Sequence, residues 1–261
     1  MNVRGKAKLL AALGVAACAI APLRAADIPL DQRKSGYDMM SPDTRAMQDD
    51  DTANPATFSV LDGAALWERK DGAAQKSCAD CHGDGETAMK GVAARYPAFD
   101  TKRNRAVDLA ARVNICRTDH QKASPFPAED KDLVALAAYI GRQSRGMPIS
   151  PPENMQAVIA QGREIYERRQ GQLNLSCAQC HDDNWGRKLA GSVVPQAHPT
   201  GYPLYRLEWQ AVGSLQRRLR NCMIGIRAAA YDPGSPESIA LEAFLMWRAR
   251  GMKVETPAVR P

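Results

Sequence analysis

Two stretches decide how this chain folds: "WERKDGAAQKSCADCH" (residues 67–82) and "YERRQGQLNLSCAQCH" (residues 166–181). They align without a gap. An aromatic, Glu, Arg, a base, one variable residue and Gly lead to Ser-Cys-Ala-x-Cys-His, at an offset of 99 residues. A second pair follows, "LAARVNIC" (109–116) and "LQRRLRNC" (215–222), and then a third, "LVALAAYIGRQSRGM" (133–147) and "SIALEAFLMWRARGM" (238–252). Three blocks in the same order describe one unit of roughly 100 residues used twice, rather than a solenoid of short repeats.

Each block has helical grammar. Before the second CxxCH, Ile159, Gly162, Arg163 and Tyr166 fall near one face, and Gly171 ends the segment. The middle block places Leu109, Arg112, Val113 and Cys116 at i, i+3, i+4 and i+7, and Leu215, Arg218, Leu219 and Cys222 likewise. The last block predicts a helix capped by Asp130 or Ser235, with Pro236 at the first helical position and Gly closing both copies at Arg-Gly-Met. Aromatic residues make up only 6% of the chain and Ala is common, which leans the same way. The expected fold is mainly α: two duplicated class I cytochrome c-like domains, 58–147 and 154–261. They are joined by a linker at 148–153 and preceded by an irregular N-terminal extension at 27–57 that wraps them.

Residues 1–26 predict a secretory signal. A basic start containing Arg4, Lys6 and Lys8 precedes an apolar run, and small residues near Ala25 and Ala26 suit a peptidase. The run is too short to span a bilayer well. A lipoprotein reading of Cys18 is the alternative. The formal charge of +6 falls to +2 once Arg4, Lys6, Lys8 and Arg24 leave with the segment, so no nucleic-acid surface is implied. Export places the mature protein in the periplasm, where free cysteine pairs tend to form disulfides.

Seven cysteines are present. Cys78 and Cys81, and Cys177 and Cys180, belong to the two CxxCH motifs, the signature of c-type haem attachment. Two thioethers anchor each of two haems, and His82 and His181 become the proximal iron ligands. A redox dithiol or half of a zinc site are the alternatives for either motif taken singly. Cys116 and Cys222 remain, one per repeat. As matched residues on matched helix faces they are candidate distal ligands, a soft thiolate suiting ferric iron. A Cys116–Cys222 disulfide or two buried thiols are the other readings.

The cations separate the copies. Arg112 and Arg218 each lie four residues before the cysteine, one turn away, able to hold an anion or a haem propionate. The second copy is denser, with Arg217, Arg218, Arg220 and Arg227, and its last helix adds Arg248 and Arg250. The second site is therefore the better place to meet an anionic substrate.

The two haem motifs, each followed by a lone cysteine, and above all "RRLRNCMIGIR" (217–227), closely resemble the dihaem A subunits of the sulfur-oxidising (Sox) system. The resemblance covers both repeats. It implies an L-cysteine S-thiosulfotransferase that works with a monohaem cytochrome, SoxX, as a heterodimer. Thiosulfate is joined oxidatively to a cysteine of the SoxYZ carrier, and two electrons pass through haem to a downstream cytochrome c. It also implies Cys222 as the reacting cysteine, an axial ligand that carries a persulfide, with His181 opposite. Arg218 is implied as the substrate-binding residue with Arg248 assisting, and His82 and Cys116 as the ligands of the first haem. A dihaem electron carrier without sulfur transfer, and a haem-based sensor, are the competing functions.

Overall fold

The computed structural model describes residues 27–189 and 191–261. The expected signal segment, with Cys18 and the cleavage positions at Ala25 and Ala26, lies outside them. Ten helices run along the described chain: α1 (Pro42–Asp49), α2 (Ala56–Glu68), α3 (Ala79–His82), α4 (Gly85–Ala88), α5 (Leu109–Cys116), α6 (Lys131–Arg142), α7 (Gln156–Glu167), α8 (Cys177–His181), α9 (Leu215–Gly225) and α10 (Pro236–Arg248). Short strands sit between them: β1 (Ala98–Asp100), β2 (Arg105–Val107), β3 (Lys188–Leu189), β4 (Ser192–Val193), β5 (Leu204–Arg206), β6 (Ala211–Gly213) and β7 (Ala258–Arg260). None of the described helices is long and apolar enough to cross a membrane.

The duplication is visible as two cores. In the first repeat α2 crosses α6, burying Trp67, Leu133, Leu136, Tyr139 and Ile140 together with Val113 from α5. In the second, α7 crosses α10 and buries Ile159, Ile165, Tyr166, Leu241, Phe244 and Leu245. The caps fall where the sequence places them: Asp130 accepts from the Asp132 amide, and Ser235 accepts from the Ser238 amide with Pro236 at N1. Gly146 and Gly251, at φ 80° and 82°, end both Arg-Gly-Met turns in the left-handed region that glycine tolerates best.

Two hairpins match as well. In β1–β2, Asp100 pairs with Arg105; in β5–β6, Arg206 pairs with Ala211 in the same register, and β7 adds a parallel third strand beside β5. Each hairpin leads into the capped helix that ends or carries a lone cysteine. Asp108 caps α5 and Ser214 caps α9.

The segment at 148–153 is more than a spacer. Ile149 exchanges backbone hydrogen bonds with Met252 and Gly251 at 2.9 and 2.8 Å, and its side chain is buried with Ala94, Ala249 and Val254. The N-terminal extension is also more regular than expected, because Ser41 caps α1 and Pro42 occupies its first turn. It straps the two repeats together. The Asn54 side-chain amide donates to the Pro257 carbonyl at 2.9 Å, Ser35 Oγ donates to Glu255, and Asp51 pairs with Arg142 and Arg145 at 2.6 and 2.7 Å.

Candidate active site

α9 presents the residues that the i, i+3, i+4, i+7 pattern singled out. Ser214 Oγ accepts from the Arg217 amide at 3.1 Å and starts the helix. Leu215, Arg218, Leu219 and Cys222 then line one cavity of about 290 Å³ with His181, His198, Tyr202, Leu204, Arg206 and Leu245. His181 closes α8, whose N-terminus is a capping box between Ser176 and Gln179. Its Nδ1 lies 2.7 Å from the Pro195 carbonyl, so Nδ1 carries the proton and Nε2 keeps its lone pair. Burial pushes its pKa down, which keeps the imidazole neutral.

All six described cysteines are free, and no disulfide joins Cys116 to Cys222. Each instead sits by the CxxCH of its own repeat. The Cys78 thiol is pushed up to about 11, by burial first and then by Cys116; the Cys177 thiol is pushed up to about 12, by burial and then by Cys222. The aromatic that opens each motif steadies the residue after its histidine. Trp67 Nε1 donates to the Gly83 carbonyl at 3.0 Å and Tyr166 Oη to Asp182 at 2.9 Å. The Trp67 ring also lies 5.7 Å from that of His82.

This donor chemistry fits haem c. Paired thiols and a histidine share one turn in each repeat, and His181 offers an oriented Nε2 into a cavity with Leu215, Leu219 and Leu245 on its walls. Among the described residues no group of three or more His, Cys, Asp or Glu is placed to hold a bare metal ion.

The equivalent arginines differ in what they meet. Arg112 is 3.0 Å from the Asp100 carboxylate, which is 4% exposed and also held by Arg103 at 3.2 Å. Burial works against ionising Asp100, but the Arg103 amide and the Arg112 charge outweigh it, and its pKa falls below the usual carboxylate range. Arg218, by contrast, has no carboxylate partner among the described residues. Arg248, expected to assist at the substrate, is placed in a buried ion pair. Its side chain is 2% exposed, pairs with Asp182 at 2.6 Å, donates to the Gln196 carbonyl and covers the Tyr166 ring. It stands behind His181 and does not line the cavity.

Arg206, Tyr202 and His198 line the cavity without having been singled out in the sequence. The signal for Arg206 was a further repeated block, "YPAFD" (96–100) and "YPLYR" (202–206), with the same offset that relates Arg112 to Arg218.

These features define a tandem c-type cytochrome in which each repeat sets a lone sulfur beside its haem-binding motif, and the second also faces its cavity with an arginine outside any ion pair. The family model described as SoxA/TsdA, cytochrome c domain, matches twice, at residues 62–149 and 161–254. The chain is 37% identical over 235 residues to the L-cysteine S-thiosulfotransferase subunit SoxA of Pseudaminobacter salicylatoxidans, covering 89% of this chain and 82% of that one. It is 35% identical to the subunit of the same name from Rhodovulum sulfidophilum, over 88% of this chain and 81% of that one. Among solved structures, that of SoxXA from P. pantotrophus superposes with a TM-score of 0.84 at 31% identity, over 88% of this chain and 87% of that one. The chain belongs to the SoxA family.

Proposed function

We propose that this chain is the catalytic subunit of an L-cysteine S-thiosulfotransferase. It joins thiosulfate oxidatively to a cysteine of a SoxYZ-type carrier and works as a heterodimer with a SoxX-type monohaem cytochrome in the periplasm. The relatives carry that enzyme name, and the similar solved structure is of a SoxXA protein. The observation that carries the reading in this chain is the meeting of Cys222, His181 and an arginine without a carboxylate, Arg218, in one cavity.

In the net reaction the carrier S–H bond breaks and a sulfur–sulfur bond to thiosulfate forms. One proton and two electrons leave. Two haem c groups, held by Cys78 and Cys81 and by Cys177 and Cys180, supply the one-electron chemistry that takes those electrons towards a cytochrome c. His82 and Cys116 would hold the iron of one haem, and His181 and Cys222 that of the other. Cys222, as a persulfide, would bond thiosulfate through its outer sulfur with loss of two electrons, and the carrier thiolate would then take the thiosulfate group and leave the persulfide as it began. Arg218 offsets the charge of the approaching dianion one turn from that sulfur. Pro195 holds His181 in the tautomer that would leave Nε2 for iron, and Arg248 and Tyr166 both donate to the carboxylate of Asp182, the next residue.

The test uses protein shown by pyridine haemochrome to hold two haems. Cys222→Ala should lose conjugation of thiosulfate to the carrier by at least about 100-fold, as loss of a nucleophile does. Conjugation surviving at wild-type rate in that variant would show that Cys222 does not carry the sulfur and leave the chain an electron carrier.

A further inference from the structure

The two repeats contain the same hairpin in the same register, followed by the same capped helix. Superposed by sequence, Asp100 at the end of β1 corresponds to Arg206 at the end of β5, and Arg112 corresponds to Arg218. In the first repeat these two positions touch, as an ion pair of 3.0 Å. The same positions in the second repeat hold two arginines, and both line the cavity that contains Cys222.

Like charges that line one small cavity repel, and more strongly where its walls are apolar. Little in the chain relieves them. Among the described residues Arg218 makes no ion pair, and Arg206 pairs at 2.8 Å with Glu208, a carboxylate 63% exposed, and lies over the Trp209 ring. Arg260, the third cation on the cavity wall, is already neutralised by Glu255. The charge of Arg218 reaches Tyr202 and Glu208 together with that of Arg206, as expected if the two guanidiniums share one small region. Where the first repeat closes its arginine with an internal carboxylate, the second sets two cations on the wall of one cavity, where an external anion can meet both.

We propose that Arg206 is the second half of the anion receptacle, acting with Arg218 to hold the dianionic sulfur substrate beside Cys222. The exchange of Asp100 for Arg206 is what makes the second site, and not the first, accept that substrate. This rests on the thiosulfotransferase reading above for the identity of the anion, though not for its binding. Two guanidiniums present paired N–H donors to the oxygens of a tetrahedral sulfur group, a geometry a single Arg cannot close. The first site, with Arg112 tied to Asp100 and Asp100 tied also to Arg103, has no such donor pair to offer.

The experiment compares Arg206→Gln, Arg206→Lys and Arg206→Asp in the holo-protein with its partner. Thiosulfate binding, and sulfate binding as a non-reacting dianion, are measured by calorimetry, and KM and kcat by the conjugation assay. Loss of one charge-assisted pair should weaken thiosulfate about 10-fold or more in Arg206→Gln, with kcat at saturation within about two-fold. Arg206→Lys should recover part of the loss, as a point charge without the fork. Arg206→Asp should lose more than Arg206→Gln, because the new carboxylate clamps Arg218 as Asp100 clamps Arg112. Haem content and visible spectrum should stay as in the wild type; if Arg206→Asp fails to take up haem, Arg206→Gln decides. Unchanged binding and KM in Arg206→Gln, or equal losses in the Gln and Asp variants, overturn the proposal. Arg206-dependent thiosulfate binding without conjugation by the wild type would sink the enzymatic reading and leave the receptacle standing.

Discussion

Arg112 and Arg218 occupy the same place in the two repeats, yet one is spent on a buried carboxylate and the other faces a cavity. The sequence shows both arginines one turn before a cysteine. It cannot show the difference between them, because Asp100 and Arg206 reach the helix from hairpins that a reading by helical period passes over. Density of cations nominated the second repeat and with it Arg248, whose side chain the structure places in an ion pair away from the cavity lining. Arg248 and Asp182, the residue that follows His181, form a nearly fully buried pair, 2% and 8% exposed. Removing the cation alone strands a carboxylate, so Arg248→Met should cost about 3–5 kcal/mol in chemical denaturation. The double variant with Asp182→Asn should recover a substantial part of that loss. Because Arg248 lies behind the histidine, the KM for thiosulfate in folded Arg248→Met should stay within about two-fold of wild type, whereas Arg218→Gln should raise it about 10-fold or more. A KM effect of Arg248→Met as large as that of Arg218→Gln would return Arg248 to the substrate.

The helices were the legible elements. Their apolar spacing, their Ser and Asp caps and their terminal glycines are local signals, and each falls where the sequence puts it. The strands were not, since two or three residues are too few to show alternation. α1 escaped because its short polar stretch has no core stripe. One repeated residue, however, already encoded how the long helices cross. Gly63 on α2 and Gly162 on α7 stand at the offset that relates the two CxxCH motifs. At Gly63 a Cβ would collide with the Ala135 carbonyl of α6; at Gly162 it would collide with the Ala240 carbonyl of α10. Backbone meets backbone there, so no rotamer change relieves the clash. Gly63→Ala and Gly162→Ala should each destabilise by about 3 kcal/mol through forced separation of the pair. Gly225→Ala, at the open end of α9 with nothing within 4 Å of its Cβ, should be neutral or slightly stabilising. Denaturant midpoints of the three variants check this; equal effects at all three positions would remove the close-crossing argument.

At the scale of the molecule the two repeats meet through the starts of their cysteine-bearing helices, an arrangement no single repeat's pattern reveals. Asp108, which caps α5, and Glu242 on α10 come together across a cavity of about 290 Å³. The Gln216 side-chain amide, on the first turn of α9, donates to both, at 3.2 Å to Glu242. Reciprocally, Glu129 of the first repeat accepts from Ser214, the cap of α9. Asp108, Glu129 and Glu242 line this cavity with no Lys, Arg or His beside them. Burial, and then the neighbouring Asp108, push Glu242 up to about 8, and burial raises Asp108 as well. Burial therefore favours one proton held by this pair at neutral pH. The sign of the consequence follows from the direction of the shift. An unfolded Glu releases its proton near 4.5, so between there and about 8 the folded chain holds a proton that the unfolded chain has lost. Stability contributed by this pair is present at low pH and drains away as pH rises through that window, by up to about 1.4 kcal/mol per pH unit for each proton. Glu242→Gln keeps the shape and an acceptor for Gln216 but removes the ionisation. It should match the wild type in denaturant midpoint near pH 5 and exceed it increasingly towards pH 8. A constant difference across that range would mean that Glu242 carries its charge throughout, and that the two repeats are held together without that proton.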